Sequence, residues 1–196
     1  KSPLRAPRSG RERARVRAMK GRELLIGVTG GIAAYKTAVL VSRLVQAGAG
    51  VTVIMTRSAT KLVSPNTFQA LSGRPVQTKV FGPGAHPHIE LAQKAHLLCI
   101  APATANFLAK AACGLADDLL STVLLSFDGP VLMAPAMNTL MWEKPAVKRN
   151  IAQLKADGVI MIDPEEGYLS CGAIGAGRMA EPERIFQVIQ DKLKSG

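Results

Sequence analysis

With 196 residues, 47% of them hydrophobic, the chain can close one substantial core and is short for two. The formal charge of +11 points to nucleic acid until it is located: nine Lys and Arg against Glu12 alone fall in residues 1–22, and the remainder carries 16 basic against 13 acidic groups. No apolar run approaches the roughly 18 residues that cross a bilayer, so a protein with no membrane partner, cytoplasmic in location, is expected.

Residues 1–22 lack apolar periodicity and any aromatic side chain for base stacking. They read as a solvated basic extension, flexible, with no nucleic acid as partner. Met19 stands just ahead of the first apolar run and reads as a natural start. From there a single domain, residues 23–196, is expected. Short apolar runs alternate with longer amphipathic stretches: "ELLIGVT" and then 33–46; "VTVIM" and 64–71; "LLCIA" with 104–112 and 116–125; "VLMA" and 145–157; "VIMI" and 182–193. This alternation predicts an α/β fold, a doubly wound, mostly parallel sheet with helices on both faces. Ser64-Pro65 and Glu181-Pro182 have the form of helix starts, an N-cap position followed by proline at the first helical position.

The first strand runs straight into "GVTGGIAAYKT". Glycines between a strand and a helix leave N–H groups at the positive end of a helix dipole, a natural seat for phosphate. Neither the Walker pattern nor G-x-G-x-x-G is present, so the loop alone leaves open a phosphate site and a plain tight connection. In a parallel sheet the ligand lies beyond the carboxyl ends of the strands. The segments there are "GGIAAYK", "TRSAT", "PATAN", "PAMNTLMW" and "DPEEGYLSCGAIGAGRMAEP". Thr56, Ser58 and Thr104 are candidate hydrogen-bond partners for a phosphate or ring, and each serves equally well as a helix cap. Cys99, Cys113 and Cys171 are odd in number and widely spaced, which argues against a disulfide framework and against a zinc site; no metal is expected.

"HIELA", "PATAN", "PAMNTLMW" and "SCGAIGAGRMAEP" stand in order, and with them residues 24–189 resemble the homo-oligomeric flavin-containing cysteine decarboxylases. The resemblance implies a Rossmann-like flavoprotein whose cofactor is FMN. It assigns Gly30, Gly31, Ile32 and Ala33, with Thr56, Arg57 and Ser58, to the FMN phosphate, and Ala103, Thr104, Ala105, Asn106 and Ala136 to the surroundings of the flavin ring. It implies catalytic roles for His88, Asn138 and Cys171, and substrate contacts for Asn138, Met141, Gly172 and Met179. Assembly as a trimer or a trimer-based dodecamer is implied too, with His88 reaching a flavin bound by a neighbouring copy.

Within the family the likeness is greatest to the branch that decarboxylates 4′-phosphopantothenoyl-L-cysteine to 4′-phosphopantetheine in coenzyme A biosynthesis. Loss of CO2 from a cysteine carboxyl leaves charge that a CH2SH group cannot delocalise, so an electron sink is needed. Oxidation of the carbon bearing sulfur to a thioaldehyde places C=S beta to the carboxylate, and decarboxylation then gives an ene-thiolate. Return of the electrons to make the saturated thiol requires a proton on carbon, the role implied for Cys171. His88 is implied as proton acceptor and Asn138 as the carboxylate's partner, while His86 and His96 are read as structural. Arg178 and Glu181 are read as anchors of the glycine-rich segment. Where relatives carry a basic residue for the substrate phosphate this chain has Ala92 or Gln93, with Lys94 or Arg57 as substitutes. Two further readings are a peptidyl-cysteine decarboxylase of lanthipeptide maturation, which Cys171 disfavours, and a non-catalytic flavin-binding regulator of a phosphatase, which His88, Asn138 and Cys171 together disfavour.

Overall fold

Strand β1 (Glu23–Val28) turns Leu24, Ile26 and Val28 into one apolar core and Leu25 into another. The period-2 alternation of a strand buried on both faces accounts for this. The same split recurs in β2 (Gly50–Met55), where Val51, Val53 and Met55 oppose Ile54, and in β3 (Leu97–Ala103), where Leu97, Cys99 and Ala101 oppose Leu98 and Ile100. The computed structural model describes residues 19–80, 86–168 and 174–194.

With β4 (Val131–Pro135) and β5 (Ile160–Met161) these strands form a parallel sheet in the order β2-β1-β3-β4-β5. Leu24 pairs with Val51 on one side and Leu97 on the other. One face is covered by α1 (Ala34–Gln46), α2 (Pro65–Ser72) and α8 (Pro182–Lys194); α1 buries Leu40, Val41 and Leu44 against it, each worth about 1.5–3 kcal/mol. The other face is covered by α3 (Pro87–Lys94), α4 (Ala105–Ala112), α5 (Leu119–Ser126) and α7 (Pro145–Ala156). Helix α5 comes so close to β1 that a Cβ on Gly27 would lie 2.6 Å from Leu120 Cδ1. The doubly wound α/β fold read from the sequence is the fold found.

Local chemistry sets most boundaries. Ser64 accepts a bond from the Asn66 N–H, Pro65 opens α2, and Gly73 ends it in the left-handed region at φ 69°. Helix α5 begins at 119, three residues later than the expected 116. Asp118 takes the cap, accepting from the Ser121 N–H at 2.9 Å, while the Asp118 N–H donates to the Ser121 hydroxyl at 3.1 Å.

Not anticipated from the sequence are α3, the single turn α6 (Thr139–Trp142), and an antiparallel hairpin of β6 (Glu165–Tyr168) with β7 (Ile174–Arg178). Helix α3 follows a Gly-Pro-rich run that reads as loop, and β7 carries Gly175 and Gly177, which weaken a strand signal. Among the described residues no helix is long and apolar enough to cross a membrane.

Candidate active site

The sheet order reverses between β1 and β3, and a cavity of about 460 Å3 opens there, beyond the strands' carboxyl ends. Thr29 stitches the two sides together. Its hydroxyl donates to the Pro102 carbonyl at 2.7 Å and accepts from the Thr104 N–H at 3.1 Å, and the residue is 2% exposed. The glycine loop then crosses in front. A Cβ on Gly30 would overlap the Cβ of Ser58, and one on Gly31 would lie 3.3 Å from both Pro102 Cγ and Thr104 Cγ2. These close approaches need glycine and draw the backbone into a cradle. Helix α1 opens from that cradle with Ala33 at its cap position, no side-chain cap and no acid in its first turn, so its positive end faces the cavity uncapped.

The opposite wall is set by the hairpin. The Met137 N–H donates to the Gly177 carbonyl at 2.9 Å, and Gly177, at φ 125°, leaves no room for a Cβ beside the Met137 carbonyl. A Cβ on Gly175 would lie 2.6 Å from Thr139 Oγ1. Strand β7 is thereby laid directly on the loop that carries Asn138. The Asn138 Oδ1 accepts from the Leu140 N–H at 2.8 Å and so caps α6, which presents Met141 to the cavity.

Ten of the anticipated residues line this one cavity: Gly30, Gly31, Ile32, Ala33, Thr104, Ala105, Ala136, Asn138, Met141 and Met179. Ser58 abuts the cradle from behind, next to exposed Arg57, and Thr56 Oγ1 accepts from the Ala59 N–H at 3.3 Å, the capping role foreseen as its alternative. Ala103 is fully buried, its carbonyl accepting from the Ala136 N–H at 3.1 Å, and Asn106 lies exposed on α4; neither lines the cavity. Thr104 does both jobs, lining the cavity and capping α4 through the Phe107 N–H at 3.3 Å. Cys171 and Gly172 lie outside the described residues.

His88 is the second residue of α3, half-buried, with its ring edge-on to His86 at 6.2 Å. Its Nδ1 is buried and meets no hydrogen-bond partner among the described residues, and His88 is absent from the cavity wall of its own chain. His96 has a structural role: its Nδ1 accepts the Glu23 N–H at 3.0 Å. Cys99 is fully buried, which pushes its thiol up to about 12 and leaves it unreactive.

Sequence reasoning missed Lys36 and Tyr35 on α1 and Met137 after β4, all of which line the cavity, and it read Arg178 only as an anchor. Lys36 is 6% exposed, and its ammonium donates to Glu181 Oε1 at 2.9 Å and to the Met179 carbonyl at 3.2 Å. The Lys36 ammonium holds the Glu181 carboxyl below the ordinary glutamate value against the opposing effect of burial. The partners stand 145 residues apart.

The cradle, the uncapped helix end and the flat apolar walls of Ile32, Ala136 and Met141 together fit a ligand with one phosphate and one planar ring system.

The family model described as Flavoprotein matches residues 12–194. The coenzyme A biosynthesis bifunctional protein CoaBC of Bacillus subtilis is 52% identical over 175 residues, which are 88% of this chain and 43% of that protein. The CoaBC of Haemophilus influenzae is 43% identical over 176 residues, 88% of this chain and 44% of that protein. The chain thus spans less than half the length of these curated relatives. Among solved structures, the FMN-dependent cysteine decarboxylase SpaF superposes with a TM-score of 0.79 at 34% identity, covering 90% of this chain and 98% of that one. A cysteine-to-serine mutant of PPC decarboxylase complexed with pantothenoylaminoethenethiol does so with 0.77 at 32%, covering 86% and 96%.

Proposed function

The chain belongs to the Flavoprotein family, and from that premise we propose that residues 23–196 form an FMN-dependent decarboxylase that converts 4′-phosphopantothenoyl-L-cysteine to 4′-phosphopantetheine in coenzyme A biosynthesis. The observation that carries this reading is the junction of two features in one cavity: a glycine cradle at a helix N-terminus, and Asn138 held by β7 on the facing lip. When bound, the flavin supplies a reversible two-electron oxidation beside sulfur, the electron sink that a cysteine carboxyl lacks.

Gly30, Gly31, Ile32 and Ala33 hold the cofactor phosphate, with Thr56, Arg57 and Ser58 supporting the cradle from behind. Thr104, Ala105 and Ala136 flank the ring, backed by Ala103 and Asn106. Asn138 orients the substrate carboxylate so that its departing bond aligns with the neighbouring C=S. Met141 and Met179 exclude water around the forming ene-thiolate, and Gly172 lets the chain approach the substrate. Cys171 delivers the proton to carbon, and His88 accepts the thiol proton.

His88 performs this in a cavity of an adjacent copy within a homotrimer, or a dodecamer built of trimers. Two observations support this: the buried Nδ1, unmet among the described residues and outside the cavity of its own chain, and exposed apolar side chains at Ile32 just before α1, at Tyr35 and Val39 on α1, and at Leu140 and Met141 on α6. The reaction belongs in the cytoplasm, where free cysteines stay reduced.

The test is a flavin absorbance spectrum of the purified protein, followed by mass spectrometry after incubation with phosphopantothenoylcysteine and with a peptide ending in cysteine. Loss of CO2 from the former without net oxidation is expected. A colourless protein that takes up no added FMN, or turnover of the peptide alone, would overturn the reading.

A further inference from the structure

Lys36 sits in the first turn of α1, in the cavity wall, where its side chain is nearly sealed from water. A buried ammonium is retained only with partners, and both of its partners lie on the short link from β7 to α8, Met179 to Glu181: the Met179 carbonyl at 3.2 Å and Glu181 Oε1 at 2.9 Å. That same carboxylate oxygen accepts from Arg178 Nη2 at 2.6 Å. The Glu181 N–H in turn donates to Glu165 Oε1 of β6 at 3.2 Å. The Arg178 guanidinium lies across β6 at Gly167, where a Cβ would be 3.1 Å from Nη1. The link is therefore held from α1 and from β6 at once, and it continues into Gly177, which pairs with Met137 beside Asn138.

We propose that Lys36 is a positioning residue: by clasping Glu181 and the Met179 carbonyl it fixes the Gly177–Met179 wall, and through it the Met137–Asn138 loop, at a set distance from the glycine cradle. Substrate and cofactor halves of the cavity are thereby held in register by one ammonium. Its effect on catalysis rests on the decarboxylase reading above; the clasp itself does not.

The experiment compares Lys36→Met, Lys36→Arg, Glu181→Gln and the Lys36→Met/Glu181→Gln double variant, each saturated with FMN. In Lys36→Met the flavin remains bound one per chain, the substrate KM rises about tenfold or more, and kcat stays within about threefold of the parent. Amide hydrogen exchange across residues 177–181 speeds up about tenfold, while the strand β1 amides are unchanged. Glu181→Gln reproduces both effects, the double variant is no worse than the worse single one, and Lys36→Arg recovers most of the loss.

Unchanged exchange and KM in Lys36→Met, or losses that add in the double variant, would overturn the clasp. So would a loss confined to kcat with exchange intact, which would place Lys36 on the reacting atoms. Should Lys36→Met not fold, Glu181→Gln alone decides by the same readouts. If the parent fails to turn over phosphopantothenoylcysteine, the decarboxylase reading falls, and exchange with the double-variant comparison still decides the clasp.

Discussion

Gly30 stands against Ser58 with no space for a side chain between them, so the end of β1 and the turn after β2 share one wall of the glycine cradle. A methyl group at position 30 must push the two loops apart. Gly30→Ala is expected to lower FMN affinity about tenfold or more and to cost about 1–3 kcal/mol in stability, as overpacking does. Gly31→Ala, whose Cβ would find 3.3 Å to Pro102 and Thr104, should cost less stability. Flavin titration and thermal melts of the two variants check the order.

Asn138 both caps α6 and faces the cavity. Aspartate caps a helix as well as asparagine does, so Asn138→Asp should leave the melting temperature nearly unchanged. It also sets a negative charge where the proposed function seats the substrate carboxylate. A fall in kcat/KM of about 100-fold, with FMN still bound, is expected from steady-state kinetics.

If His88 serves the cavity of an adjacent copy, His88→Asn and Asn138→Asp chains each keep about 1% of parental activity or less alone and complement when co-expressed. Random mixing in trimers returns about a quarter of the parental activity, because half the copies bring the right asparagine and half of their neighbours the right histidine. No recovery would place His88 and Asn138 in one chain's site.

Cys171→Ser is expected to stop the reaction after CO2 has left. The product should be two hydrogens lighter than 4′-phosphopantetheine by mass spectrometry, and the flavin should remain reduced. Full conversion by this variant would remove Cys171 from the chemistry.

At the far end of the sheet the Glu23 carboxylate pairs with both Arg74 guanidinium nitrogens, Nη2 at 3.0 Å, and the bond holds the Glu23 carboxyl below its ordinary value of 4.5. A lowered carboxyl favours the folded state above the unfolded value and loses that advantage as acid protonates it in the fold. Glu23→Gln should therefore destabilise at neutral pH by about 1 kcal/mol or less, since both side chains are over a third exposed and solvent screens them. The difference should shrink as pH falls from about 4.5 downward, as urea titrations at stepped pH would record.

Much of this molecule is written in spacings of two to four residues. The alternation in Leu24-Leu25-Ile26, the cap at Ser64-Pro65 and the glycines before α1 set the strands, one helix boundary and the open turn at the start of α1, because strand faces and helix ends depend on neighbours in the chain. Ten residues that the motifs single out lie along one cavity wall. What the sequence left unsaid joins distant segments: Lys36 with Glu181, Gly30 with Ser58, Met137 with Gly177. A lysine in an amphipathic helix reads as solvated until the fold buries it against a carboxylate 145 residues away, and only the winding of the sheet brings that carboxylate there.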